Sequence, residues 1–260
     1  MVGHTSNIYF KNSFNIQNLV QTRKLTNYTI LGNQVECECG VHVRQLARDM
    51  VKRGYVGFEG LVDLPGTIGG AIVNNSGCYG CQVSDLLKEV RLLQPNGAVK
   101  SLSHQELAFK FRSSALKRGE IKGVILSVTL VLAKGQYDEL KRLADKAHQD
   151  RLKTQPGPRN NLGSTYHSLG ERTLFGKCLW MVSGIYSRCL KMFGEDSFSR
   201  GKKKSELEFL LAGGRQVLPY LWSINRFIWK DKRADIVFLQ YQKVLRRIYI
   251  DPKLEIEIFE

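Results

Sequence analysis

The spacing of apolar and polar residues predicts both strands and helices in the first part of the chain. Apolar and polar residues alternate over residues 35–39, which is typical of a strand with one buried face. Residues 41–53 carry apolar side chains at positions i, i+3, i+4, i+7 and i+8, which is the pattern of one helix face. Gly54 follows directly and favours the end of that helix there.

Three further segments predict the strands of a sheet. Residues 90–93 and 99–102 are rich in apolar residues and flank Pro95-Asn96-Gly97, a typical turn sequence of a hairpin. Residues 123–132 are apolar at successive positions, as expected for a strand that is buried on both faces.

The second part of the chain begins after a helix predicted at residues 137–152. The polar stretch 155–161 contains two prolines and one glycine and favours a linker. Apolar residues at helical spacing predict another helix at 237–248, and residues 254–260 alternate as in a strand. We therefore expect an α+β fold in two domains, residues 1–150 and 151–260.

Composition and charge restrict the possible partners. The 260 residues are 43% hydrophobic and include 39 Lys and Arg against 24 Asp and Glu, so the net charge is +15. Such a chain is too apolar for a disordered protein, and its charge favours a polyanionic partner. The excess charge is spread along the chain, and only Lys202-Lys203-Lys204 forms a basic cluster. Nucleic acid is therefore a weaker expectation than a phosphorylated small molecule.

The lack of targeting signals in the sequence, together with the cysteine pattern discussed below, favours a cytoplasmic location. The most apolar stretch, residues 174–193, is interrupted by Lys177, Arg188 and Lys191, so it falls short of a membrane span. We expect an amphipathic core helix there, with association with a membrane surface as the open alternative. The start of the chain lacks the pattern of a signal peptide.

The six cysteines include a C-x-C and a C-x-x-C pair, the spacing of some zinc sites. Cys37 and Cys39 continue the alternation of the strand at 35–39, so we expect them on its buried face. Cys78 and Cys81 lie in a glycine-rich loop with another plausible role. The sequence therefore predicts no metal site.

The most informative segment is the glycine-rich stretch 64–80. Five glycines alternate there with threonine, asparagine and serine. Glycine lets the backbone approach a ligand closely, and exposed N–H groups in such a loop suit phosphate oxygens. The alternative is a tight glycine-rich turn without a ligand. A second short polar loop, residues 3–7, would fit a diphosphate held between two segments.

Five stretches in this order resemble the UDP-N-acetylenolpyruvoylglucosamine reductase family. They are 3–7 (GHTSN, like G-x-G-S-N), 57–71 with 75–80, 109–113 (FKFRS, like F-G-Y-R-x-S), 161–165 (NLGST, like A-G-S-F) and 254–258 (LEIEI, like L-E-x-E-V). The resemblance implies an FAD-binding domain of the vanillyl-alcohol oxidase type, followed by a smaller α+β substrate domain. It also implies FAD and NADPH as cofactors and a UDP-sugar substrate, with reduction of UDP-N-acetylglucosamine enolpyruvate to UDP-N-acetylmuramate for peptidoglycan synthesis.

The resemblance also assigns roles to individual residues. The flavin-binding residues would be Gly3, His4, Thr5, Ser6, Asn7, Pro65, Gly66, Thr67, Ile68, Gly69, Gly70, Asn75, Gly77 and Tyr79. The catalytic residues would be Arg112 at the substrate carboxylate, Ser164 as proton donor, and Glu257 as the final glutamate of the family. Without the resemblance these three residues would be interpreted as a surface arginine, a loop or N-cap serine, and a solvated strand residue.

Some parts of the chain depart from the family pattern. The family has a strand and a helix before the first flavin loop, so we expect the chain to lack that segment. Phe111 replaces a tyrosine, and residues 166–169 replace an F-K-N-P stretch. Residues 174–215 stand in place of the family's A-G-x-L-I-E…G-x-K-G stretch. The sequence therefore leaves open a paralogue that acts on another sugar nucleotide in surface-polysaccharide synthesis, or a remnant that binds without turnover. It also leaves the oligomeric state open.

Overall fold

Strands and helices are mixed along the chain in the computed structural model, which describes residues 8–10, 20–155, 164–229, 231 and 233–259. The strands are β1 Ile8–Phe10, β2 Tyr28–Leu31, β3 Gln34–Glu38, β4 Gly77–Cys78, β5 Cys81–Gln82, β6 Leu87–Leu93, β7 Val99–Ser103, β8 Val124–Val131, β9 Tyr166–Ser168, β10 Leu221–Ser223, β11 Arg226–Phe227, β12 Lys253–Leu254 and β13 Glu257–Phe259. The α-helices are α1 Val43–Lys52, α2 Ile68–Asn74, α3 Val83–Leu86, α4 Tyr137–Thr154, α5 Leu174–Met192, α6 Ser197–Leu211 and α7 Ala234–Ile248. Short 3-10 helices occupy Glu59–Leu61 and Arg215–Tyr220.

The described residues divide into two compact units. Unit 1 contains residues 20–152, and unit 2 contains residues 8–10 together with those from 153 onward. The two units have separate hydrophobic cores.

Unit 1 is built on a five-stranded antiparallel sheet in the order β2-β3-β8-β6-β7. The four strand segments predicted from the sequence form β3, the two strands of the β6–β7 hairpin and β8, so these strands are confirmed. The expected burial of β8 on both faces is wrong, because one of its faces is only partly buried and Val131 is 42% exposed. Gln94 N–H donates to Ala98 O at 2.8 Å, and Gly97 has a φ of +84°, which closes the predicted hairpin turn.

The helix α1 packs its predicted apolar face into the core of unit 1. Its buried residues are Val43, Leu46, Ala47, Met50 and Val51. The Gly54 N–H donates to Val51 O at 2.9 Å with a φ of +74°, so the predicted glycine stop is confirmed. Cys37 and Cys39 are buried beside this helix, as the strand pattern predicted, and burial raises the pKa of Cys37 to about 12.

Unit 2 packs its helices around an aromatic core. Tyr241 of α7 is fully buried, and its ring lies 5.3 Å from that of Phe227 and 5.4 Å from that of Phe209, between centroids. The helix α7 contains the predicted 237–248 segment, so that prediction is confirmed. These rings supply the main apolar contacts between α6, α7 and β11.

The buried carboxylate of Glu208 connects α5 and α6. Its two oxygens accept from Arg172 Nη1 at 2.9 Å and from Ser183 Oγ at 2.8 Å. The Arg172 guanidinium also lies over the ring of Tyr249, 4.8 Å from its centroid. Because Glu208 is only 1% exposed, the guanidinium of Arg172 is needed to offset the free energy of burying the Glu208 charge.

Two predictions for unit 2 are wrong. The single alternating strand at 254–260 is instead two short strands: β12 pairs antiparallel with β9, and β13 pairs parallel with β1. Ile256 between them is buried whereas Leu254 is exposed, so the residues do not share one face. The pattern fails because each short strand forms its hydrogen bonds with a different partner.

The other error concerns residues 174–193. The helix forms as α5, but its buried residues are limited to Gly176, Leu179 and Ser183, and most of its large apolar side chains are exposed. It is therefore not a core helix, because only one narrow face packs against α6 and α7. Among the described residues, no helix combines the length and apolarity that crossing a membrane requires.

Candidate functional site

The glycine-rich segment folds into the short helix α2 and a tight turn. Thr67 is the N-cap, and its Oγ1 accepts from Gly70 N–H at 3.4 Å. Asn75 ends the helix in the left-handed conformation with a φ of 44°. The predicted stretch is thus a helix held at both ends by its own polar residues.

The prediction of exposed backbone donors is wrong at two positions of this helix. Ile68 N–H donates to Val41 O at 2.8 Å, and Gly69 N–H donates to Cys39 O at 2.9 Å. A Cβ atom at position 69 would lie 2.9 Å from Cys39 Cβ, so the missing side chain lets α2 approach the end of β3. These two N–H groups fasten the helix to its neighbour and are not available to phosphate oxygens.

A cavity of about 360 Å³ lies beside α2 in unit 1. Thr67, Gly69 and Gly70 line it, so three of the predicted flavin residues share one concave site. Its volume falls within the range of small-molecule pockets. Lys122 also lines it and contributes a positive charge.

The opposite wall of the cavity was missed by the sequence reasoning. Gly119, Ile121, Lys122 and Gly123 line it from the loop that leads into β8. Gly119 has a φ of +74° and Gly123 a φ of +155°, conformations that favour glycine. The signal that could have identified this loop is the pair of glycines among basic residues directly before a buried strand.

Arg112 is held against the end of α2. Its Nη2 donates to Gly77 O at 2.7 Å and its Nη1 to Asn75 O at 3.4 Å. The neighbouring segment is fastened in the same way, because Asn75 Nδ2 donates to Lys110 O at 2.9 Å and Ser114 Oγ to Val73 O at 2.7 Å. The structure therefore brings the predicted catalytic arginine together with two predicted flavin residues, Asn75 and Gly77.

One polar atom of this assembly has no hydrogen-bond partner among the described residues. Asn75 is 5% exposed, and its Oδ1 is a buried acceptor without a donor. A buried acceptor without a donor lowers the stability of the folded state unless a bound group supplies an N–H or O–H. It therefore fits a site that holds a cofactor.

The turn after Gly77 carries Tyr79, which is exposed and has a φ of 50°. The flanking thiols contact Gly60, because Cys78 Sγ donates to its carbonyl and Cys81 Sγ accepts from its N–H. Burial raises the pKa of Cys78 to about 11, so this thiol is protonated near neutral pH. In the part of the chain that the structure describes, no cluster of His, Cys, Asp or Glu side chains is suited to a metal ion.

The other predicted flavin residues lie in two places. Pro65 is exposed at the start of the segment, followed by Gly66 with a φ of 104°. The predicted first flavin loop, Gly3, His4, Thr5, Ser6 and Asn7, lies outside the described residues.

The two other predicted catalytic residues belong to unit 2. Ser164 is half-buried directly before Thr165, whose N–H donates to Asn225 O at 2.9 Å. The Glu255 N–H donates to Thr165 O at 2.9 Å, so the segments that carry Ser164 and Glu257 are neighbours. Glu257 lies in β13, and its side chain is outside the described part.

The chain is similar in sequence to known proteins. Residues 1–103 match the family described as "FAD binding domain". The chain is 32% identical over 148 residues to the UDP-N-acetylenolpyruvoylglucosamine reductase of Caldanaerobacter subterraneus subsp. tengcongensis, covering 57% of this chain and 48% of that protein. It is 30% identical over 166 residues to that of Streptococcus pneumoniae (strain Hungary19A-6), covering 64% of this chain and 54% of that protein. The chain thus spans about half the length of the curated relatives it matches.

A solved structure shows the same fold. The UDP-N-acetylenolpyruvylglucosamine reductase of Thermus caldophilus superposes with a TM-score of 0.62 at 20% identity, covering 91% of this chain and 76% of that one. The chain therefore shares the α+β fold of that structure, as predicted, and its first 103 residues are similar to an FAD-binding domain. By sequence it is a relative of the UDP-N-acetylenolpyruvoylglucosamine reductases, which confirms the resemblance carried by its motifs.

Proposed function

We propose that this protein is an FAD-dependent oxidoreductase. It uses NADPH to reduce the enolpyruvyl group of UDP-N-acetylglucosamine enolpyruvate to UDP-N-acetylmuramate, a step of peptidoglycan precursor synthesis in the cytoplasm. The observation that carries the proposal is the assembly of Arg112, Asn75 and Gly77 in a chain whose relatives are named for this reductase.

The residues of unit 1 fit a bound flavin nucleotide. The cavity beside α2 is lined by Thr67, Gly69 and Gly70, and Asn75 Oδ1 is a buried acceptor that a bound group would satisfy. Lys122 would attract the diphosphate, and so would the net charge of +15. When bound, FAD would take up electrons from NADPH and supply a hydride for the enolpyruvyl double bond.

Arg112 would stabilise the charge that develops on the substrate. Hydride addition to an enolpyruvyl group places enolate charge on its carboxylate, and a cation held in position lowers the free energy of that state. The guanidinium is always charged, and its forked donors match a carboxylate. The two backbone carbonyls that Arg112 contacts fix its orientation before the substrate binds.

By the resemblance, Ser164 and Glu257 would supply the proton chemistry. Ser164 would give the proton to the neighbouring carbon, and Glu257 would act as an acid or as an orienting carboxylate. Support comes from the backbone bonds of Thr165, which bring their two segments side by side.

The experiment that tests this function uses the full chain incubated with FAD. We expect a flavin absorption band, bleaching by NADPH, and reoxidation on addition of UDP-N-acetylglucosamine enolpyruvate. A protein that stays colourless after added FAD would contradict flavin chemistry altogether. Bleaching without reoxidation would contradict the proposed substrate and favour a paralogue that acts on another sugar nucleotide.

Substitutions of the three catalytic candidates should separate binding from turnover. We expect Arg112→Ala, Ser164→Ala and Glu257→Gln to retain FAD and to lower kcat by about 10²-fold or more, the usual effect of removing one positioned group. The matched control is Lys110→Ala, which removes an exposed cation two residues from Arg112. If one of these three variants turns over as fast as the control, the role assigned to that residue is wrong.

A further inference from the structure

The helix α5 exposes a continuous apolar face. Leu174, Met181, Ile185 and Met192 recur at spacings of seven and four residues, so they lie in one row along the helix. Leu174 is 83% exposed, Ile185 62% and Met192 86%. Exposed apolar surface of this extent on one helix indicates a binding surface rather than scattered exposure. We call this row, together with Phe175 and Val182 beside it, the outer face of α5.

Positive charge borders this face on one side. Lys177, Arg188 and Lys191 are exposed, and at 100° per residue they fall together next to the row of Leu174 and Met181. The helix contains no acidic residue.

The same border continues onto α6, which packs against α5. Trp180 is exposed on that side, and Lys204 Nζ lies 5.1 Å from the centroid of its ring. Lys204 belongs to the Lys202-Lys203-Lys204 cluster, which had no role in the flavin chemistry. An exposed tryptophan beside basic residues is typical of a helix at a membrane–water interface.

We propose that the outer face of α5 binds the surface of an anionic lipid membrane, with the helix lying in the plane of the interface. Apolar side chains would enter the boundary between headgroups and acyl chains, and the basic border would contact the phosphates. The helix lies on the membrane and does not cross it, since it lacks the apolarity of a spanning helix.

Charge argues against an antiparallel pairing with a second copy of the chain. An antiparallel twofold contact through the outer face would set each basic row beside the same row of its partner, which is repulsive. An anionic surface instead complements that row. The proposal does not depend on the flavin chemistry, because it concerns residues outside the proposed catalytic groups.

Co-sedimentation of the full chain with lipid vesicles tests the proposal. We expect binding to vesicles of equal parts phosphatidylglycerol and phosphatidylcholine, no binding to phosphatidylcholine alone, and weaker binding as salt is added. Ile185→Glu places a charge in the apolar face, and Arg188→Glu reverses a charge on the border. Each should lower the partition coefficient roughly tenfold.

Two controls introduce the same kinds of charge change at other exposed positions. Ile236→Glu changes an isoleucine of α7 that is as exposed as Ile185, and Lys141→Glu reverses an exposed cation of α4. Circular dichroism checks that all four variants retain their helices. Equal binding to both vesicle types, binding to neither, or a loss that the controls share would overturn the proposal. So would a dimer that Ile185→Glu dissociates, because the face would then belong to a second copy.

Discussion

Two adjacent glycines of α2 offer a paired test of the flavin site. In Gly69→Ala the new Cβ would lie 2.9 Å from Cys39 Cβ and 3.1 Å from Cys39 O, in a position closed by the strand. In Gly70→Ala the nearest atom is Thr67 Oγ1 at 3.4 Å, an ordinary contact with room to adjust. The same substitution should therefore act in opposite directions at the two positions.

The expected magnitudes follow from these distances. Overpacking against Cys39 costs about 1–3 kcal/mol, and the gain in helix propensity from glycine to alanine offsets about 0.5–1 kcal/mol of it. Gly69→Ala should thus lower the free energy of unfolding by about 1–2 kcal/mol. Gly70→Ala should raise it by a few tenths to about 1 kcal/mol, since only the propensity term applies.

Urea unfolding measures both values, with an unchanged m-value as the sign that only stability differs. A third variant, Gly70→Leu, extends a side chain from the wall of the cavity, and its Cβ would have only Thr67 Oγ1 within 4 Å. We expect it to fold and to lose FAD affinity in a fluorescence titration. Gly69→Ala with wild-type stability would refute the close packing of α2 on Cys39. Gly70→Leu with wild-type FAD affinity would refute the cavity as the flavin site.

Two predictions concern buried carboxylates. Arg172→Ala leaves Glu208 buried without its cation and should cost about 3–5 kcal/mol in urea unfolding; a change under about 1 kcal/mol would contradict the role of this pair. Burial alone raises the pKa of Asp63, but hydrogen bonds from His148 and Arg48 outweigh it and leave the pKa below the usual 3.8. The stabilisation of the fold by the ionised carboxylate is present above pH 3.8 and is lost as the pH falls below that value. Asp63→Asn should therefore be less stable than wild type at pH 7, and the difference in stability should disappear in acid. A difference that stays constant with pH would contradict the assignment.

Much of unit 1 was predictable because its signals are local. The apolar face of α1, the turn at Asn96-Gly97 and the apolar run of β8 each contain within a few residues the reason for the structure they form. The glycine-rich segment was singled out in the same way, and Arg112 was predicted as a site residue through its motif. The loop that carries Lys122 was missed, because it joins the site only when β8 and α2 are brought together.

The alternation at the end of the chain could not predict that β12 and β13 have different partners, because pairing depends on strands almost 90 and 250 residues away in sequence. The apolar residues of α5 could not predict their own exposure, since burial depends on how many neighbours pack against the helix. The glycine-rich segment was predicted to expose its N–H groups, but the Cys39 carbonyl accepts from the N–H of Gly69 and the Val41 carbonyl from that of Ile68.

The sequence by itself determined α1, α4, β3, the β6–β7 hairpin and β8 of unit 1, the position of the glycine-rich segment and the similarity to the UDP-N-acetylenolpyruvoylglucosamine reductases. These features depend on side-chain periodicity, backbone freedom at glycine and residue order, all of which are properties of the amino-acid sequence. The tertiary structure decided which N–H groups fasten α2, how Arg112 is held at Asn75 and Gly77, and that the outer face of α5 is left uncovered. Those outcomes are set by contacts between segments far apart in sequence, and such contacts exist only once the chain has folded.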